Sequence, residues 1–162
     1  MEVLSLFAEV SVGLAGFSGI AVVLSQSPGE WSFADSLRVR MLLGASFGAL
    51  FASLVPIALL WGNVPESIAV RCGSGVVLSV FVYWTVRGWA AFRKQSSSEM
   101  AVFNPLIARF IFVVFLTGQL SQLANLFLPF GDASRLLLSF GILLLIGWAA
   151  FGLVRLLFVR PA

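Results

Sequence analysis

A carboxylate, a guanidinium and three amides are the groups best placed to do chemistry in this otherwise apolar chain. Glu9 falls about two turns into a long apolar run. A carboxylate inside a membrane-spanning helix is costly, and it normally faces a bundle interior or a water-filled path. On a helical wheel Ser5, Glu9, Gly13 and Gly16 share one narrow stripe, with Gly19 close beside it. Two readings of Glu9 follow. It lines an ion or proton path, forming a cation-attracting ring if its helix packs around a symmetry axis. Alternatively it is held in a buried ion pair with Arg71, since both are expected in the outer third of helices running the same way.

Arg71 has an alternative of its own, which is to snorkel to nearby outer headgroups. Cys72 beside it is the single cysteine and reads as a small packing residue, because no base or metal ligand adjoins it. Gln119, Gln122 and Asn125 recur at a spacing of three and share one helix face. Amides in lipid bond across helices, at about 0.6 kcal/mol each. They act either as such glue or, with Glu9 and Arg71, as the lining of an outward-facing polar cavity.

Other chemistry is excluded by what is missing. The chain has no histidine, which removes bis-histidine haem, histidine zinc sites and Ser-His-Asp triads. The single lysine, Lys94, lies in a polar segment, which argues against a retinal Schiff base. There is no HExxH and no GxxxxGK[ST]. No catalytic residue, metal ligand set or cofactor is expected, and the chain does not read as an enzyme.

The elements that must position these groups are long apolar helices. The chain is 60% hydrophobic and 10% charged, against about 25% charged in soluble domains, so lipid must solvate most of it. The expected fold class is all-α: a polytopic integral membrane helical bundle, with 1–162 as one transmembrane domain. Five helices are predicted at about 3–24, 41–61, 68–86, 106–128 and 136–157, the second with its first turns beginning near Ser32. About 20 residues at ~1.5 Å rise span roughly 30 Å, the thickness of a hydrocarbon core. No Lys or Arg precedes Arg38, so the first run lacks the basic start of a signal peptide and reads as a retained helix.

Boundary residues support these limits. Ser32 to Asp35 resembles a capping box. Asn104-Pro105 sets a cap before a first-turn proline, and Pro65 and Glu66 do similar work. Gly131 and Asp132 make a turn. Pro56 is expected to kink the second helix. Segments 62–67 and 129–135 are tight turns, whereas 25–40 and 87–105 are longer and charged. The serines before Glu99 read as part of a solvated connector.

Charge then orients the zigzag. Of the 10 Lys and Arg residues, Arg38, Arg40, Arg87, Arg93, Lys94, Arg109, Arg155 and Arg160 fall at one face, leaving Arg71 and Arg135 at the other. The positive-inside rule gives N-out and C-in, in a cell (inner) membrane with basic loops cytoplasmic. It also explains the net charge of +3 better than nucleic-acid binding does. Trp31 and Trp89 mark the inner interface, and Trp61 and Phe130 the outer. Trp84 and Trp148 lie deeper, as packing residues.

Small residues point to close helix contacts. Gly44, Gly48 and Ala52 form a small-xxx-small row with Ala45, Ala49 and Ser53 alongside, and Gly13, Gly16 and Gly19, spaced by three, likewise allow close approach to the first helix. These rows serve internal packing or oligomerisation. A weak repeat at an offset of 69 aligns Glu30, Asp35, Leu37, Arg40, Trp61, Gly62 and Asn63 with Glu99, Asn104, Leu106, Arg109, Phe130, Gly131 and Asp132. It reads either as a duplication, of the kind transporters often contain, that makes helices 1–2 and 3–4 parallel copies with helix 5 added, or as the product of shared needs for caps, arginines and interfacial aromatics, which generate such matches alone.

Together these features imply an oligomeric channel- or transporter-like membrane protein with a polar pathway near Glu9. The alternative is a non-conducting subunit that anchors or assembles a larger membrane complex. The expected partners are the bilayer and either further copies of the chain or another membrane protein, with no nucleic acid.

Overall fold

The computed structural model describes residues 2–24, 33–94, 105–128 and 130–158. Among these the chain is all-helical, with five helices: α1 (Glu2–Leu24), α2 (Phe33–Trp61), α3 (Glu66–Lys94), α4 (Pro105–Phe127) and α5 (Ala133–Phe158). Four of them, α1, α2, α3 and α5, contain stretches long and apolar enough to cross a membrane. In α4 the corresponding apolar stretch is Phe112–Phe127. Ser32, Asn104, Trp31, Arg160 and the connector around Glu99 lie outside the described residues, as do Glu30 and Glu99 of the offset-69 alignment.

The helix ends follow from local chemistry. Asn63 closes α2 in the left-handed conformation, at φ 57°. Val64 N–H reaches back to the Leu59 carbonyl and Asn63 N–H to the Leu60 carbonyl, the paired bonds of a Schellman stop. Asn tolerates that φ where bulkier residues do not. Pro65 then opens α3, its carbonyl accepting from Ile68 and Ala69. Gly131, at φ 55°, turns the chain from α4 into α5. Pro105 is the first residue of α4, a position where its missing N–H costs nothing. α3 continues past the expected end at residue 86 to Lys94. Its hydropathy falls at Arg87, but Ala90, Ala91, Arg93 and Lys94 are strong helix formers and no proline intervenes.

Contacts along the helices give an up-down zigzag. Gly44 and Gly48 of α2 lie against Trp84 and Val80 of α3, in antiparallel order. Gln119 bonds Thr85 and Asn125 bonds Ser74, so α4 runs antiparallel to α3. Gly118 meets Leu144 and Gly141 meets Gln122, which sets α5 antiparallel to α4. α2 is the hub, packing on α1, α3 and α5; α4 packs on α3 and α5.

Close backbone approach holds the hub. Ala45, Ala49 and Ala52 are fully buried. A Cβ on Gly48 would lie 2.9 Å from Val80, and one on Gly44 would collide with the Trp84 ring. Pro56 sits fully buried inside α2 without ending it. A proline ring deprives the carbonyl four residues back of its helical bond, and here that carbonyl, Ala52 O, faces Gly73 of α3. A Cβ at 73 would sit 3.1 Å from Ala52 O and 2.6 Å from the Pro56 ring. Only glycine fits there.

Aromatic rings fill the other half. Phe81 stands edge-on to Phe115 at 5.3 Å, and Phe115 edge-on to Trp148 at 4.9 Å, linking α3, α4 and α5. Buried hydroxyls add no unmet polarity: Ser11, Ser46 and Ser53 each donate to the carbonyl four residues back.

Candidate functional site

The three amides of α4 all face neighbouring helices. Gln119 Nε2 donates to Thr85 Oγ1 at 2.5 Å. Gln122 is fully buried, and its Nε2 donates to the Leu137 carbonyl at 2.7 Å across Gly141. Asn125 is also fully buried and donates to Ser74 Oγ at 2.7 Å and to the Ser134 carbonyl at 2.9 Å. The row therefore ties α4 to α3 and α5. The carbonyl halves, Gln122 Oε1 and Asn125 Oδ1, are buried without a hydrogen-bond partner among the described residues. Spacing in the sequence revealed the shared face, but not that α3 and α5 supply Thr85, Ser74 and two main-chain carbonyls to meet it.

Glu9 and Arg71 do not join this cluster, nor each other. Both are exposed, and no ion pair links them among the described residues. α1 packs on α2 and α5 rather than on α3. Depth separates the two as well. Phe7 shares a cluster with Ala49 and Ala52, and Leu14 packs against that of Leu42, Ala45 and Ala149, so α1 runs antiparallel to α2 and Glu9 lies about level with Gly48 of α2 and hence with Val80 of α3. Arg71 is about nine residues from Val80, or roughly 13 Å along the axis. The ion pair expected from equal depths does not form: α1 does not pack on α3, and the two exposed side chains lie at different levels.

Glu9 thus stands near the middle of the apolar spans of α2 and α3, which run Val39–Trp61 and Glu66–Ala90. It lies on the outer face of α1. Ser5, Gly13, Gly16 and Gly19 are exposed on that side too. A Cβ added at any of the three glycines would meet nothing within 4 Å among the described residues. The α1 glycines take no part in internal packing, whereas Gly44, Gly48 and Ala52 of α2 do.

Arg71 lines a groove of about 330 Å³ at the end of the bundle where α3 begins and α4 turns into α5. Glu66, Asp132 and Arg135 line it as well. Glu66 and Arg135 form an exposed ion pair at 2.5 Å. The charge zigzag places Arg71 and Arg135 at the same end, but the meeting of their two turns in one groove depends on how the helices pack. A second groove, of about 320 Å³, is flanked by Gly44, Val80 and Trp84 and is mainly apolar. Cys72 is a free, exposed thiol. No trio of metal-ligating side chains gathers among the described residues.

These features define an all-helical bundle compatible with a membrane location, whose deepest carboxylate faces outward. No family model, curated protein or solved structure matches the chain.

Proposed function

We propose that the protein is a five-span membrane protein, N-out and C-in, that assembles with copies of itself into a cation channel or transporter whose pathway runs along α1 past Glu9. The carrying observation is the position of Glu9: level with the middle of the neighbouring spans, on a face where Gly13 and Gly16 leave the backbone open. A carboxylate at that depth is costly against lipid. Copies meeting around an axis would turn the same face inward, replace lipid by water and set a ring of carboxylates that attracts cations. Among the described residues the amide groups of Gln119, Gln122 and Asn125 are engaged in bonds between helices, which supports glue rather than a path through the interior. The basic ends of the zigzag support the orientation and an inner-membrane location.

The test is ion flux into liposomes holding the purified protein, with its oligomeric state verified by crosslinking. Wild-type protein is expected to pass monovalent cations in preference to anions, and Glu9→Gln to lose that preference. A silent, verified oligomer would sink the reading.

One observation favours a second function. The exposed α1 face offers a seat for another protein's helix as readily as for a copy. On this reading the chain is a non-conducting subunit that anchors or assembles a complex, and the partner supplies any chemistry. Purification from native membranes then yields a second polypeptide in fixed ratio. Recovery of the single chain at native abundance argues against it.

A further inference from the structure

The groove at the α3 start carries charge that the fold does not use. Of its four charged side chains, Glu66 and Arg135 neutralise one another. The Arg71 guanidinium and the Asp132 carboxylate have no ion-pair or hydrogen-bond partner among the described residues. Both are exposed, and they share the groove's lining with the hydroxyl residues Ser67 and Ser134 over an apolar floor that includes buried Val70. One unpaired cation and one unpaired anion in a single groove complement a ligand that carries both charges.

We propose that this groove binds a zwitterion bearing a phosphate and a primary ammonium, the chemistry of a phosphoethanolamine headgroup. An arginine fork receives two phosphate oxygens at once, which a lysine does not match. The Asp132 carboxylate accepts N–H bonds from the ammonium, which a quaternary ammonium cannot donate. A volume of about 330 Å³ lies within the range of about 300–1,000 Å³ usual for small-ligand sites. Trp61 is 76% exposed and follows α2 to the same end of the bundle, and Phe130 lines the groove itself. Aromatic residues so placed mark headgroup level in membrane proteins. The site is independent of any pathway along α1.

Native mass spectrometry of the full chain in mild detergent tests the assignment. The protein is titrated with phosphatidylethanolamine, phosphatidylcholine and phosphatidylglycerol of matched acyl chains. Wild-type protein is expected to retain the ethanolamine lipid about tenfold better than either of the others, the size of one charge-assisted contact. Asp132→Ala should bring the three lipids level, and Arg71→Ala, which removes the contact to the phosphate that all three share, should weaken retention of every one of them, while Arg87→Ala, at the opposite end of α3, leaves both retention and preference intact. Soluble O-phosphoethanolamine provides a second arm that needs no variant. Displacement of bound lipid at millimolar concentration assigns the site to the zwitterion itself. Retained lipid with selectivity intact assigns it to the membrane lipid, whose chains then supply part of the affinity. Equal retention of all three lipids by wild-type protein overturns the proposal, as does unchanged selectivity in Asp132→Ala or unchanged retention in Arg71→Ala.

Discussion

The glycine rows of α1 and α2 look alike in the sequence and have opposite fates in the fold. Gly44 and Gly48 lie under Trp84 and Val80, and a single added carbon would collide with either. Gly13, Gly16 and Gly19 face open space. A row of small residues says that a backbone can be approached closely; it does not say by what. In α2 the approaching helix is α3 of the same chain. In α1 the row is uncovered among the described residues, with the exposed Glu9 beside it.

The contrast is broken most forcefully at Gly73, where α3 meets the α2 hub. Gly73→Ala sets a Cβ against the rigid Pro56 ring and the Ala52 carbonyl, neither of which can swing aside. Overpacking against such neighbours costs about 3 kcal/mol. Unfolding of the detergent-solubilised protein by a denaturing detergent should show that loss. A loss no larger than that of Gly13→Ala would mean that the hub is not tight.

Asn125→Ala comes next. It removes both bonds that link α4 to Ser74 and to the Ser134 carbonyl. It also removes the unpartnered Oδ1, which offsets part of the loss. The net destabilisation expected is about 1–2 kcal/mol. Gln119→Ala breaks one bond, to Thr85, and should cost about half as much. Equal costs for the two would remove the case that the buried end of the row holds α4 more firmly.

Sequence and structure part company at identifiable places. The all-helical class, Pro105 as the opening residue of α4 and the shared face of the amides follow from composition, local geometry and spacing. These are properties of one helix at a time. The length of α3 was missed because hydropathy marks where lipid ends, not where helical hydrogen bonds end. The relation of Glu9 to Arg71 was missed for a different reason. Depth counted from each helix's own start presumes that the starts are level and that the two helices touch, and packing decides both: Leu14 meets the cluster of Leu42, Ala45 and Ala149, and α1 does not pack on α3. That Arg71 and Arg135 share one end of the bundle follows from the zigzag; that Asp132 joins Arg71 in one groove while Glu66 pairs with Arg135 does not, since it depends on how two distant turns meet.

A smaller effect is expected at the Glu66–Arg135 pair. Its side chains are 45% and 59% exposed, and exposed pairs contribute about 0–1 kcal/mol. Arg135→Ala should therefore shift unfolding far less than Asn125→Ala, and the shift should shrink with added salt. A salt-insensitive loss as large as that of Asn125→Ala would show that the pair is structural.

The smallest effect on the chain's own stability is expected on α1, and it separates the two glycine rows most sharply. Gly13→Leu and Gly16→Leu add bulk where no described atom lies within 4 Å of the new Cβ. The fold of the single chain should change by no more than about 0.5 kcal/mol, as for other surface positions. If further copies cover that face, the same substitutions hold the backbones apart and dissolve the contact. Sedimentation and crosslinking in detergent should then show smaller assemblies with unchanged unfolding, and cation flux should fall alongside. Gly48→Leu on α2 should do the reverse, destabilising the chain before it alters assembly. If the α1 variants leave assembly and flux untouched, the open row is a lipid-facing surface and the pathway must be sought elsewhere.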